Sequence, residues 1–393
     1  TALSIGLGKV LTLQKLKLSF SDCLKIENKG LPDLGACLLG TNLTDLDLNF
    51  SGCLKINDKG ITALCAQLAK MSKVPGLKRF VLNMQGCTAI TDAGLTKIAA
   101  LFPELPWLET LDLNFTQCSK ITNSALKEFS ASIRKTKKLS TILNYFNLKS
   151  FNLSVGACDK IDDKGLMAIC DEVSTFSELT NLGLDFHLCD SISNKGLISL
   201  SKSLNSVKAK LAVLKLNFQG CVKLAEGSIL EFSLLLSKLT NLQILRLNFS
   251  DCKKLGDEDV STLGTKISKL QMLKRLYLSF SRCPNIGDNS LDTLGHSLSI
   301  VPGLEELSLY FNGCNGIATT GIFTLSDSLA ALSKTLHTLR LNLSKCERVN
   351  DTALTKISDD IGKIAGLKHL ELYFVGCYTL SGGSLRDLSN SID

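Results

Sequence analysis

Apolar and polar positions recur along this chain in a fixed order, L-x-x-L-x-L-x-F-x-x-C-x-x-I-x-D-x-G-L-x-x-L, and the order repeats twelve times. The second copy carries it most fully, through Leu43, Leu46, Leu48, Phe50, Cys53, Ile56, Asp58, Gly60, Ile61 and Leu64. The cysteines mark the period: Cys23, Cys53, Cys87, Cys118, Cys158, Cys189, Cys221, Cys252, Cys283, Cys314, Cys346 and Cys377. Most of their spacings are 31 or 32 residues, with 34 after Cys53 and 40 after Cys118. Each copy changes period halfway. Leu46, Leu48 and Phe50 alternate with polar residues, the signature of a strand with one buried face. After Gly60 the apolar residues fall at Ile61, Leu64 and Leu68, three or four apart, which predicts a helix of about ten to fourteen residues.

A strand and a helix of this size cannot each bury an apolar face alone, so the copies must stack on their neighbours. Stacking gives one parallel sheet on one side and a layer of helices on the other. Strands repeat every ~4.8 Å and helices need ~10 Å each, so the stack is expected to curve strongly, with the sheet inside.

These residues resemble leucine-rich repeats, and C-x-x-I-x-D-x-G-L is similar to the cysteine-containing subtype of F-box ubiquitin-ligase receptors. Cys53 to Ile61 and Cys158 to Leu166 carry that match. Two residues, including the phenylalanine, are inserted before the cysteine, and the helix is about three residues longer. Units of about 31 residues of this kind resemble those of protists such as ciliates. The resemblance implies an α/β leucine-rich-repeat solenoid, a horseshoe of about twelve repeats with the parallel sheet concave and the helices convex. It would run over 1–393 as a single array, with an irregular repeat near 134–147. Ala2 to Val10 and Leu385 to Ile392 read as parts of helices, so both ends read as cutting through a repeat. The resemblance also implies one function class, substrate recognition within a ubiquitin ligase.

Composition narrows the setting. With 45% apolar and 21% charged residues, the 393-residue chain has the make-up of an ordinary globular protein. No apolar run is long enough to span a membrane. The net charge of +7 is mild at this size and does not by itself point to nucleic acid. The fifteen cysteines show no paired or zinc-type spacing, so the twelve of the column are expected to be free buried thiols, neither disulfides nor metal ligands, and hence to mark a reducing compartment. The expected location is cytoplasmic, with a cytoskeletal or ciliary setting included.

The other columns receive structural readings. Phe20, Phe50, Phe115, Phe186, Phe218, Phe249, Phe280, Phe311 and Phe374 fall in the strand alternation and are expected in the core rather than along a cofactor channel. Asn28, Asp58, Asp92, Asn123, Asp163, Asn194, Asp257, Asp288 and Asp351 stand where the helical pattern begins and are expected to cap their own helices rather than bind calcium. Glycosylation tripeptides at Asn42, Asn49, Asn114, Asn152, Asn248, Asn342 and Asn350 read as by-products of the repeat. The chain has no phosphate loop, nucleophile elbow or H-E-x-x-H motif. His187 lies near Cys189, but a dyad needs a pocket and an orienting group, so the pairing reads as chance. No catalytic residue, cofactor or metal is expected.

What remains for function is the polar side of the strands. In the early repeats it carries Asp45, Asp47, Glu109 and Asp112, interrupted by Lys78 and Arg79. In the later ones it carries Lys215, Arg246, Lys274, Arg275, Tyr277, Tyr310, Arg340 and Tyr373, which are the candidate partner-binding residues. Arg and Tyr are enriched at interface hot spots, and Glu305 and Glu306 interrupt what would otherwise suit a polyanion. The basic run Arg134 to Lys138 and the apolar Leu139, Ile142, Leu143, Tyr145 and Phe146 mark an insertion that either folds back or docks a partner. The chain is therefore expected to be a non-enzymatic protein-recognition scaffold or a subunit of a larger polypeptide or complex. A ubiquitin-ligase receptor or a regulator of a small GTPase are the alternatives, and nucleic acid is disfavoured.

Overall fold

The computed structural model describes residues 2–71, 76–140, 148–383 and 386. Two compact units divide the chain: Thr1–Ser191 with Lys202–Val207, and Ile192–Ser201 with Lys208–Asp393. The first contains strands β1 (Lys15–Ser19), β2 (Asp45–Asn49), β3 (Arg79–Asn83), β4 (Thr110–Asn114), β5 (Ser150–Ser154) and β6 (Asn181–Asp185). The second contains β7 (Val213–Asn217), β8 (Ile244–Asn248), β9 (Arg275–Ser279), β10 (Glu306–Tyr310), β11 (Thr338–Asn342) and β12 (His369–Tyr373). Within each unit the strands pair in chain order, all parallel and in the register of the sequence repeat.

The helices are α1 (Ala2–Leu7), which precedes β1, and then, each after a strand, α2 (Gly30–Cys37), α3 (Asp58–Leu68), α4 (Asp92–Ala99), α5 (Asn123–Ser140) and α6 (Asp163–Val173). They continue as α7 (Asn194–Val207), α8 (Leu230–Leu236), α9 (Asp257–Ile267), α10 (Asp288–Leu298), α11 (Thr319–Ala331) and α12 (Asp351–Ile361). The described helices vary in length more than the sequence pattern predicts. The long spacing after Cys118 is taken up partly by α5, which extends to Ser140; residues 141–147, which hold most of the apolar insertion, lie outside the described residues.

Every strand is five residues long. Its second and fourth residues point inward, as Leu46 and Leu48 do in β2 and Leu276 and Leu278 in β9. The aromatic column follows directly and is core, as expected. Phe218, Phe249, Phe280 and Phe311 are fully buried and stack with centroids 5.7–6.1 Å apart and planes within 20°. Burial of such a side chain is worth roughly 1.5–3 kcal/mol. Phe20 and Phe374, in the first and last strand units, are only half-buried.

The cysteine column is a thiol ladder. The Cys53 Sγ donates to the Phe20 carbonyl at 3.1 Å, Cys87 to Phe50 at 3.1 Å, Cys252 to Phe218 at 3.2 Å and Cys314 to Phe280 at 3.1 Å. Each bond joins a repeat to the aromatic column of the one before it. None of the fifteen cysteines is in a disulfide, and no cluster of three metal-ligating side chains occurs among the described residues. Cys23 departs from the expected burial: it is exposed.

The acidic and amide column departs from its expected role. The residues that cap the helices stand one position earlier: Asn57, Thr91, Asp162, Ser193 and Asn350 accept from backbone N–H groups in the first turns of α3, α4, α6, α7 and α12. The column itself reaches forward to the next repeat. Asp92 accepts from the Thr122 N–H at 2.7 Å and hydroxyl at 2.6 Å, Asn123 from the Asp162 N–H at 3.1 Å, and Asp288 from the Ala318 N–H at 2.7 Å. A repeat alone cannot supply these partners, so the side chains serve as ties between repeats.

Two further columns emerge at the strand ends. Asn49, Asn114, Asn248 and Asn342 accept, through Oδ1, the backbone N–H two residues on, at 2.9–3.1 Å. These asparagines of the glycosylation tripeptides thus hold the turn, and Asn350 caps α12. The residue before each column cysteine has positive φ: Gly52, Gly86, Gly220, Gly313 and Gly376, but also Asp22, Gln117, Ala157, Leu188, Asp251, Arg282 and Lys345. Its N–H is thereby aimed at the next repeat, as in Gly86 to the Thr116 carbonyl at 2.9 Å and Asp251 to Ser281 at 2.8 Å.

Candidate functional site

The third strand positions of the second unit form one row, Lys215–Arg246–Tyr277–Ser308–Arg340–Glu371. Strand alternation turns these residues away from the core. Arg275 and Glu306 lie in the row formed by the first strand positions, and Tyr310 and Tyr373 in that of the fifth, with Asn342 between them. Five of the eight candidates, Arg246, Arg275, Tyr277, Tyr310 and Arg340, line one open basin of about 330 Å³ with Leu276, Glu306 and Ser308. Lys215, Lys274 and Tyr373 are outside its lining.

The tyrosines do not form an even stripe. Tyr277 and Tyr310 meet diagonally, ring centroids 5.1 Å apart and planes inclined at 38°. Tyr373 turns its hydroxyl to the Glu371 Oε2, donating at 3.1 Å. Burial, and then the neighbouring Tyr277, push the Tyr310 hydroxyl pKa above its ordinary value.

Most of the basic residues are paired across strands. Lys274 meets Glu305 at 3.1 Å, Arg275 meets Glu306 at 3.1 Å, and the Arg340 Nε donates to the Glu371 Oε1 at 2.8 Å. The Arg340 bond, followed by that from Tyr373, holds the Glu371 carboxyl below the usual carboxylate range. Arg246 differs: it is exposed and makes no hydrogen bond or ion pair among the described residues. Glu371 was absent from the candidates, although its third position in the last strand marks it as belonging to the row.

The corresponding row of the first unit has a different character. Asp47 lies 3.7 Å from the Lys17 Nζ and 3.6 Å from an Arg79 guanidinium nitrogen, and Asp112 accepts from the Asn152 amide at 3.2 Å. Carboxylate and amide groups dominate there, guanidinium and phenol in the second unit.

The proximity of His187 and Cys189 does not create a nucleophile. His187 Nδ1 meets the Asp185 Oδ1 at 2.8 Å, and this bond raises the imidazole pKa. Cys189 is buried, points to the Val155 and Cys158 carbonyls, and burial pushes its pKa up to about 12. The thiol is protonated at neutral pH and unreactive. No helix among the described residues is long and apolar enough to cross a membrane.

No curated protein matches the sequence. A family model described as a leucine-rich repeat matches residues 81–99. Among solved structures, the chain is similar to one in the crystal structure of the Rad7 and Elc1 complex in yeast. That match has a TM-score of 0.61 and 18% identity, and covers 98% of this chain and 84% of the other. Parallel strands alternate with helices within each unit in the register of the sequence repeat, so the chain has the fold of a leucine-rich-repeat α/β solenoid of about twelve repeats.

Proposed function

We propose that this chain is a non-enzymatic recognition scaffold that receives a protein partner on the exposed strand face of its second unit. The observation that carries this reading is the convergence of three guanidinium groups and two tyrosine rings on one open basin. These side chains bring large contact area and directional donors, the make-up of interface hot spots. That a structure of similar fold is itself a complex of two proteins, Rad7 with Elc1, adds support. Fifteen unbridged thiols support a reducing, cytoplasmic setting.

A second reading keeps the scaffold and specifies its use. The match of Cys53 to Ile61 and Cys158 to Leu166 to the cysteine-containing subtype favours substrate recognition within a ubiquitin ligase. Co-purification of ligase subunits with the full-length protein would support that use, and their absence would remove it.

Charge reversal at Arg246 and Arg275 tests the scaffold reading itself. Proteins captured by the wild-type chain should be lost from the double variant, while the melting temperature stays within about 2 °C. Unchanged capture would take this face out of consideration.

A further inference from the structure

We infer that the basin of the second unit holds an extended acidic segment of a partner protein, laid across the strands, with two carboxylates four residues apart seated on Arg246 and Arg340. This rests on the recognition reading and gives it a chemistry. Arg246 and Arg340 stand in the same row, on β8 and β11, three strand spacings apart. At ~4.8 Å per strand, that is about 14 Å. An extended peptide advances ~3.3 Å per residue and shows alternate side chains to one face, so residues i and i+4 lie about 13 Å apart on the same side. The two repeats match.

The guanidinium groups are suited to this use. Arg246 makes no ion pair or hydrogen bond among the described residues, so a ligand carboxylate displaces only water. Arg340 commits its Nε to Glu371 but keeps the N–H groups of its two terminal nitrogens. Arginine binds carboxylates through parallel donors, which fixes orientation as well as charge. Between the two arginines the row holds Tyr277 and Ser308, and the Tyr277–Tyr310 pair makes an aromatic wall. The i+2 side chain of the peptide would lie there, and an apolar residue fits it. The basin lining carries three guanidinium groups against the single carboxylate of Glu306, so the site favours an anion. A continuous polyanion is less suited, because Glu306 and, at the end of the row, Glu371 would repel its phosphates.

A fluorescein-labelled synthetic peptide, GSEALAESG, provides the probe, with anisotropy read at about 50 mM salt where screening is modest. Controls move the second glutamate to i+3, or replace both glutamates by glutamine. Saturable binding is expected for the i, i+4 peptide, at least fivefold weaker for each control. Arg246→Ala and Arg340→Ala should each weaken it at least fivefold, with an unchanged melting temperature for Arg246→Ala. Arg348→Ala, outside the basin, should leave it unaltered. Absence of binding at millimolar peptide, equal binding of all three peptides, or indifference to Arg246→Ala would overturn the inference. Tighter binding of a ten-residue oligothymidylate, sensitive to Arg246→Ala, would overturn it in favour of nucleic acid. If the peptide fails while protein capture still depends on Arg246 and Arg275, the scaffold reading stands and only the acidic segment falls.

Discussion

Asp58 opens helix α3, yet its carboxylate serves Thr91 of the next repeat: Oδ1 accepts the Thr91 backbone N–H at 2.9 Å and Oδ2 the Thr91 hydroxyl at 2.7 Å. Thr91 in turn caps α4 by accepting from the Ala93 N–H. One side chain therefore fixes where the following helix starts. Asp58→Ala should cost about 2–4 kcal/mol, since two bonds to a charged acceptor are lost. Asp58→Asn should recover part of this, as Asn28 fills the same role toward the Asn57 N–H. Urea unfolding would give the energies, and faster hydrogen exchange at Ala93 would place the defect. Normal exchange there in Asp58→Ala would refute the tie between repeats.

The thiol ladder predicts a reactivity pattern. Burial raises the thiol pKa to about 11 at Cys87 and about 12 at Cys252, Cys314 and Cys346, so these thiols stay protonated at neutral pH. In native protein a thiol reagent should react rapidly at Cys23, which is exposed, and slowly at the buried column. Under denaturing, non-reducing conditions all fifteen should react. A denatured count far below fifteen would mean disulfides and would sink the reducing-compartment assignment.

Asp360 predicts an acid limb of stability. It is 1% exposed and accepts from Lys356 at 2.8 Å, Lys363 at 2.6 Å and the Ser326 hydroxyl at 2.8 Å. Burial, the largest influence, pushes its pKa up, but these partners together outweigh it and the carboxyl lies below its ordinary value. A folded pKa below the unfolded one adds stability above the unfolded value, near 4, and that stability is lost as pH falls through the folded value. Asp360→Asn should cost about 2 kcal/mol at pH 7 and flatten the loss below about pH 4. A parallel pH profile in wild type and variant would reject the assignment.

The positive-φ column predicts that a Cβ is unfavourable there, so adding one and removing one should shift stability in opposite directions. Gly86 has φ 72° and its nearest neighbour to an added Cβ is 3.8 Å away, so Gly86→Ala isolates the backbone cost. It should destabilise by about 1 kcal/mol. Ala157, at φ 53°, already bears that cost, and Ala157→Gly should stabilise by up to about 1 kcal/mol. Thermal unfolding of the two variants checks the signs, and shifts in the same direction would contradict the assignment.

The sequence by itself determined the repeat, the strands, the helices and the core. Leu46, Leu48, Phe50 and Cys53 announce their burial because alternation and helical spacing are local geometry, and twelve copies reinforce each other. It also marked Arg246, Arg275, Tyr277, Tyr310 and Arg340, since strand parity alone tells which side chains leave the core. What lay beyond it was decided by contacts between residues about thirty positions apart. Asp58 lies at a helix start in either reading, and only the neighbouring repeat shows that its carboxylate ties Thr91 rather than capping α3. The left-handed column was half visible in its five glycines, but Asp22, Leu188 and Arg282 hide it, because the constraint is an N–H aimed at the next repeat and not a residue type. The basin, likewise, exists only once register sets Tyr277 diagonal to Tyr310, pairs Arg275 with Glu306 and Arg340 with Glu371, and leaves Arg246 without a carboxylate. Local periodicity fixes which way a side chain points; only the stacking of repeats fixes what it meets.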